Sequence, residues 1–174
     1  LDVSAADIPE KKAGVRPLIQ QLLIDRLNSE VAEDGERAEL GEAIRGGGDI
    51  RISAETEFVQ AQFAVPSDAT RAAIDAFATL FFDDIQFSSE EIAAAKDVVI
   101  RDIEGSLDQV SFRTYQLFTD ALYGDSPLNR SIATRLSGIG ALSGTDVGAA
   151  RNTLYTPDRA YMAIVSPLPA RQIR

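Results

Sequence analysis

The spacing of apolar and polar positions changes several times along the chain, and each change marks an element. Leu1 to Lys12 reads as the end of a strand followed by a polar loop. Leu18, Leu22 and Leu23 then recur at helical spacing, and Pro17 fits the first turn of that helix, where a missing N–H costs nothing. Asn28 to Gly35 is charged and reads as a loop. From Glu36 to Arg45 a short helix carries Leu40, Ala43 and Ile44 on one face, and Gly46-Gly47-Gly48 stops it. The pattern then becomes alternating. Asp49 to Val65 reads as extended chain, with Val59, Ala61, Phe63 and Val65 on one face and Gln60 and Gln62 on the other.

Helical spacing returns after Pro66-Ser67-Asp68, with Ile74, Phe77 and Phe81 on one stripe. Ser88 and Glu91 have the spacing of a capping box, and the helix they open carries Ile92, Ala95, Val99 and Ile103 on one face. Further helices are predicted from about Gln109 to Tyr123 and from Thr145 to Leu154, with turns at Gly124 to Pro127 and Thr156 to Asp158. Tyr161 to Val165 reads as a last apolar strand. This order predicts an α+β domain over residues 1–174, with helices packed on one face of a sheet.

Composition narrows the chemistry. The 174 residues include no histidine and no cysteine. Ser-His-Asp and Cys-His nucleophile systems are therefore excluded, as are an ordinary zinc site and thiol redox chemistry. Seventeen basic against 27 acidic residues give a net charge of −10, which argues against nucleic acid and against an anionic membrane surface. No apolar stretch is long enough for this segment to insert in a membrane. Gly46-Gly47-Gly48 lacks the Lys-Ser/Thr of a phosphate loop and follows a helix instead of opening one. The acidic clusters at Glu30 to Glu36 and Ser88 to Glu91 lack EF-hand spacing.

Four segments, taken in order, carry a resemblance. They are Gly14-Val15-Arg16-Pro17-Leu18-Ile19-Gln20-Gln21-Leu22-Leu23; Gly47-Gly48-Asp49-Ile50 leading to Glu57-Phe58; Asp97-Val98-Val99-Ile100-Arg101-Asp102; and Tyr123-Gly124-Asp125-Ser126-Pro127-Leu128-Asn129-Arg130 followed by Tyr155 to Met162. Together they resemble the pitrilysin/insulinase family of inverted-zinc-motif metallopeptidases, which includes mitochondrial processing peptidase. The resemblance implies a family N-terminal-type domain with a mixed, largely antiparallel sheet. It also implies that the segment lacks the domain's first strands and any following domain.

The family's metal motif is H-x-x-E-H on a helix, with a distal glutamate. The corresponding positions here are Pro17, Gln20, Gln21 and Asp102. Proline has no side-chain lone pair, a glutamine carbonyl is a weak zinc ligand, and Gln20 cannot serve as a general base. The expectation is therefore a chain with no metal, no cofactor and no catalytic residue. Asp102 falls on the apolar face of its helix, which predicts a carboxylate either buried against an arginine or backbone N–H groups or pointing into a cleft. A role for it in paired-carboxylate chemistry would require a second acid that the sequence does not nominate.

The resemblance further implies that Asp49, Ile50, Arg51, Ile52, Ser53 and Ala54 form a strand that takes up peptide substrate through main-chain bonds, with Arg51 filling space or charge left by the lost metal. It implies partnership with a zinc-bearing subunit or domain of the same family and a share in enclosing peptide. The alternative is a structural core subunit of a larger complex, such as a respiratory one. Abundant alanine and arginine, with Lys11, Lys12 and Lys96 the only lysines, point to a GC-rich bacterial genome. Bacterial cytoplasm and periplasm are both open as the compartment.

Overall fold

A computed structural model describes residues 8–54, 58–126, 129 and 131–173. A short 3-10 turn at Glu10–Lys12 leads into α1 (Val15–Glu30), followed by α2 (Ala38–Arg45), β1 (Asp49–Ala54) and β2 (Val59–Ala64). Then come α3 (Thr70–Phe82), α4 (Ser89–Ser106), α5 (Val110–Tyr123), α6 (Ile132–Ala141), α7 (Gly144–Leu154) and a last turn of helix, α8 (Ala170–Ile173). The fold is α+β. Among the described residues its sheet is an antiparallel hairpin, β1 with β2, in a register that sets Ile52 opposite Ala61 and Ala54 opposite Val59. The first strand expected before Lys12 falls mostly on residues outside those described, as do Glu57, Pro127, Leu128 and Arg130. No described helix is long and apolar enough to cross a membrane.

The core is built around α1. Leu18, Ile19 and Leu23 have no accessible surface, and Val15, Leu22 and Leu27 are nearly as buried. The helix is covered by α3, α4, α6 and α7 and by β1. Because neighbors cover it on several sides, its buried residues exceed a single apolar stripe and include Arg16 and Glu30. Val59 packs into the same core from β2, with Ala61 and Phe63 half-buried beyond it and Gln60 and Gln62 facing water, as the alternation predicts. The capping box at Ser88 is formed: the Glu91 amide donates to Ser88 Oγ and the Ser88 amide to Glu91 Oε2. Ile92, Ala95, Val99 and Ile103 are all buried along α4.

The structure corrects the sequence reading at three places. First, α1 runs through Asn28 to Glu30 instead of stopping before them. Glu30 is buried and held on both oxygens, by Arg26 Nε and by Arg37 Nε, each at 3.0 Å. Two guanidinium partners make the last charged turn more stable as helix than as loop. Second, α6 is an additional helix. Its glycines depress helix propensity, but Gly138 lies so close to the Ala13 backbone that a Cβ there would overlap the Ala13 carbonyl. The glycine is required by tertiary contact, which no local pattern reveals. Third, Tyr161 to Val165 is not a strand but exposed irregular chain, with Val165 fully accessible. A strand exists only through its ladder, and no described strand lies beside this one to supply it.

Exposure is also concentrated on α5. Val110, Tyr115, Leu117, Phe118 and Leu122 face outward, and Thr119 is its one buried residue. The contrast with α1 is measurable. Leu18→Ala is expected to cost about 2–5 kcal/mol, because it empties a closed core position. Phe118→Lys on α5 is expected to stay within about 0.5 kcal/mol. Urea denaturation midpoints of the two variants test this; a large loss for Phe118→Lys would mean that α5 is packed.

α7 opens with a second capping box. Asp146 Oδ2 accepts from the Ser143 hydroxyl at 2.6 Å and from the Ser143 amide at 3.0 Å, and Asp146 Oδ1 pairs with Lys12 at 3.0 Å. These bonds lower the Asp146 pKa from 3.8 to about 2. The folded state thus holds the carboxylate more weakly protonated than the unfolded chain. Its contribution is complete above about pH 4 and lost as the pH falls through about 2. Asp146→Asn should lower Tm at pH 6, and the difference from the unaltered protein should shrink between pH 4 and pH 2. A constant difference across that range would contradict this assignment.

Candidate functional site

Residues 16 to 21 lie in the first turns of α1, which position 14 prepares. Gly14 precedes the helix with a φ of 90°, a left-handed conformation, and a Cβ on it would overlap the Ile139 side chain of α6. From this start Arg16 and Gln20, four residues apart, share the face turned to the β1–β2 hairpin. Arg16 Nη2 donates to the Phe58 carbonyl at 2.9 Å. Gln20 Nε2 donates to the Ile52 carbonyl, also at 2.9 Å. A backbone carbonyl only accepts, so the Gln20 amide must present its NH2 group there. Gln21 turns elsewhere, its Nε2 donating to Asp25 Oδ1 one turn further along α1 at 2.8 Å.

The motif positions therefore do not converge on a common point. Gln20 is committed to β1 and Gln21 to Asp25, while Pro17 is half-buried with no donor atom to offer. The donor set does not fit zinc. A metal needs lone pairs directed at one center, and here two amide groups direct N–H bonds at oxygen atoms instead. Among the described residues no group of three or more acidic side chains is placed to hold a metal ion.

Asp102 departs from its expected burial. It is exposed, and its main-chain carbonyl, not its carboxylate, accepts from Ser106 Oγ at 2.7 Å. The buried stripe of α4 is centered near Val99, and Asp102 lies about 60° to the side of Val99 at about 100° per residue. That places it on the margin, where a carboxylate stays in water. Arg51 is exposed on β1, two residues from Asp49, and its Nε meets Asp49 Oδ2 at 2.7 Å on the same face. The β1 strand itself forms as expected, with Ile52 buried and Ile50, Ser53 and Ala54 half-buried.

Two buried groups were not legible as partners in the sequence. Arg151 of α7 is buried and donates from Nη2 to the Leu80 carbonyl at 3.1 Å, binding the last turn of α3, where helix carbonyls lack internal partners. Tyr155, just past α7, is buried against Phe81, which stacks on Phe77 with ring centroids 4.7 Å apart. Burial raises the Tyr155 pKa, opposed by the positive charges of Arg16 and Arg151. Among the described residues the Tyr155 hydroxyl and Arg151 Nε have no hydrogen-bond partner. An open polar cavity of about 510 Å³ lies apart from this region, between the end of α5 and the start of α6. There Asn129 Nδ2 donates to Asp120 Oδ1 and to the Gly124 carbonyl, so this part of the distinctive Tyr123–Arg130 string serves to close a turn.

An orphaned buried hydroxyl costs desolvation without return. Tyr155→Phe is therefore expected to leave Tm unchanged or raise it. A loss of more than about 1 kcal/mol in chemical denaturation would show that the hydroxyl is satisfied.

No protein-family model matches the chain, and no curated protein matches it. Among solved structures it is similar to a protease from Helicobacter pylori known from its crystal structure, with a TM-score of 0.79 and 15% sequence identity. The likeness covers 99% of this chain and 40% of that one, so the chain spans less than half the length of that protein. At this identity the likeness is one of fold.

Proposed function

We propose that this chain is a catalytically inactive domain of the pitrilysin/insulinase type, working beside a zinc-bearing peptidase unit and helping to enclose and present peptide. The observation that carries this reading is the Gln20 contact. At the position where the resemblance sets a general base, the side chain is a donor occupied by a backbone carbonyl. A glutamate there would be ionized at neutral pH, would have no proton to give Ile52, and would face another acceptor. The residue has changed from proton acceptor to structural donor.

The fold likeness to a protease supports a peptidase-related domain. Zero histidines and cysteines support the loss of metal chemistry. The formation of β1 supports peptide presentation, since an edge strand is the structure that such binding uses. Exposed apolar side chains on α5 and at Tyr161 to Val165 support work within an assembly. The net charge of −10 suits basic peptides drawn in by long-range attraction.

Co-expression with a protein carrying H-x-x-E-H from the same genomic neighborhood tests the proposal. Zinc content and peptide cleavage are measured for each component and for the purified pair. The expected result is co-purification, with zinc and cleavage in the pair and neither in this chain alone. Stoichiometric zinc or proteolysis by this chain alone refutes the reading. A stable complex without any peptidase component would favor the structural-subunit alternative.

A further inference from the structure

Gln20 and Arg16 reach the hairpin from the same face of α1, but they are unequal. Arg16 is buried and holds the Phe58 carbonyl. Gln20 is only half-buried and holds the Ile52 carbonyl of β1. The hairpin is further anchored by the buried side chains of Ile52 and Val59. Its docking on α1 therefore does not depend on Gln20. β1 pairs with β2 on one side, and among the described residues no strand pairs with its other side. A polypeptide adding to β1 recruits carbonyls of that strand for its own N–H groups, and the Ile52 carbonyl lies in the middle of the strand.

We propose that Gln20 is a self-blocking latch on β1: its amide occupies the Ile52 carbonyl and competes with the main-chain N–H of an extended peptide. This rests on the peptide-presenting reading above and adds a regulatory element to it. The physical logic is one of exchange. A neutral side-chain hydrogen bond is weak in net terms, because released groups find other partners, and a half-buried glutamine has rotamers into which it can withdraw. An incoming strand replaces the bond with its own. The latch thus keeps an exposed strand edge from pairing indiscriminately, a hazard that edge strands otherwise carry, and yields to a ligand that makes several main-chain bonds at once. Arg16 keeps the hairpin in place while Gln20 is displaced.

The test uses the full chain and a capped nonapeptide of alternating Thr and Val with Lys at both ends, titrated by fluorescence anisotropy. A second peptide of the same sequence, N-methylated at alternate residues, cannot pair along a strand edge. Gln20→Met removes the amide at similar length, and Gln20→Asn keeps an amide too short to reach Ile52. Circular dichroism confirms that both variants are folded. Both are expected to bind the nonapeptide about five-fold more tightly than the unaltered protein, which is the loss of one competing hydrogen bond, and the N-methylated peptide should not bind. Equal or weaker binding by the variants, with the methylated peptide still excluded, overturns the latch and leaves peptide presentation standing. Tighter binding by Gln20→Met alone also overturns it, because the gain then comes from added apolar surface. Binding of neither peptide by any of the three proteins, or equal binding of both peptides, overturns edge pairing itself and the latch with it.

Discussion

The enclosure of α1 is the constraint on which the rest of the structure depends. Helices pack around it and β1 lies against it, with Leu18, Ile19 and Leu23 wholly out of water. In that setting a buried polar side chain such as Arg16 cannot go unpaired without a desolvation cost of about 1–3 kcal/mol, whereas half-buried Gln20 is less constrained. Arg16 and Gln20 are polar residues on its hairpin-facing side, and both reach main-chain carbonyls. The hairpin is consequently fixed twice: by the apolar burial of Ile52 and Val59, and by the requirement that α1 satisfy its own polar groups. Gly14 and Gly138 belong to the same constraint: Gly138 lets α6 meet the Ala13 backbone, and Gly14 leaves room for the Ile139 side chain.

The chemistry of the site follows from the sign of those polar groups. A metal-binding helix face offers lone pairs. This one offers protons. Glutamine has nearly the shape of glutamate, so a core can keep its packing while the group at position 20 changes from acceptor to donor. Once Nε2 is bonded to Ile52, a carboxylate at that place would set two acceptors against each other. Base and latch are therefore exclusive uses of one position. Pro17 adds a second exclusion, since it fixes the first helical turn and contributes no donor atom. The amide that leaves position 20 without a carboxylate is the same group that makes the contact to the hairpin.

How much of this was legible in the sequence depends on the range of the forces involved. Elements set by local pattern were readable: the α4 stripe from Ile92 to Ile103, the Ser88–Glu91 capping box, the alternation of β2, and the helices at Gln109 and Thr145. Elements set by partners distant in the chain were not. α6 needed Ala13 to explain Gly138, and the last turn of α1 needed Arg37 to make Glu30 tolerable. Within the site, the positions Pro17, Gln20 and Gln21 and the strand Asp49–Ala54 could be named from the sequence. The bond joining Gln20 to Ile52 could not, because it spans 32 residues. Asp102 shows the opposite error: helical periodicity placed it near a buried face, but the face is narrower than the apolar count suggests, and a carboxylate at its margin remains in water.

The core of α1 and the surface of α5 present opposite thermodynamic situations, and their difference bears on how the chain would associate. Leu117, Phe118 and Leu122 expose apolar side chains whose full burial would contribute about 1.5–3 kcal/mol each. Association costs about 4–15 kcal/mol in lost freedom before any contact is counted. A few such residues supply a driving force of the right order to offset that cost. Charge then selects among possible occupants. A second copy would bring its own net charge of −10, and the repulsion would act against the same apolar gain, most strongly at low salt. A partner of lower negative charge meets no such opposition. The exposed apolar side chains thus favor association, while the acidic balance opposes association between copies of this chain.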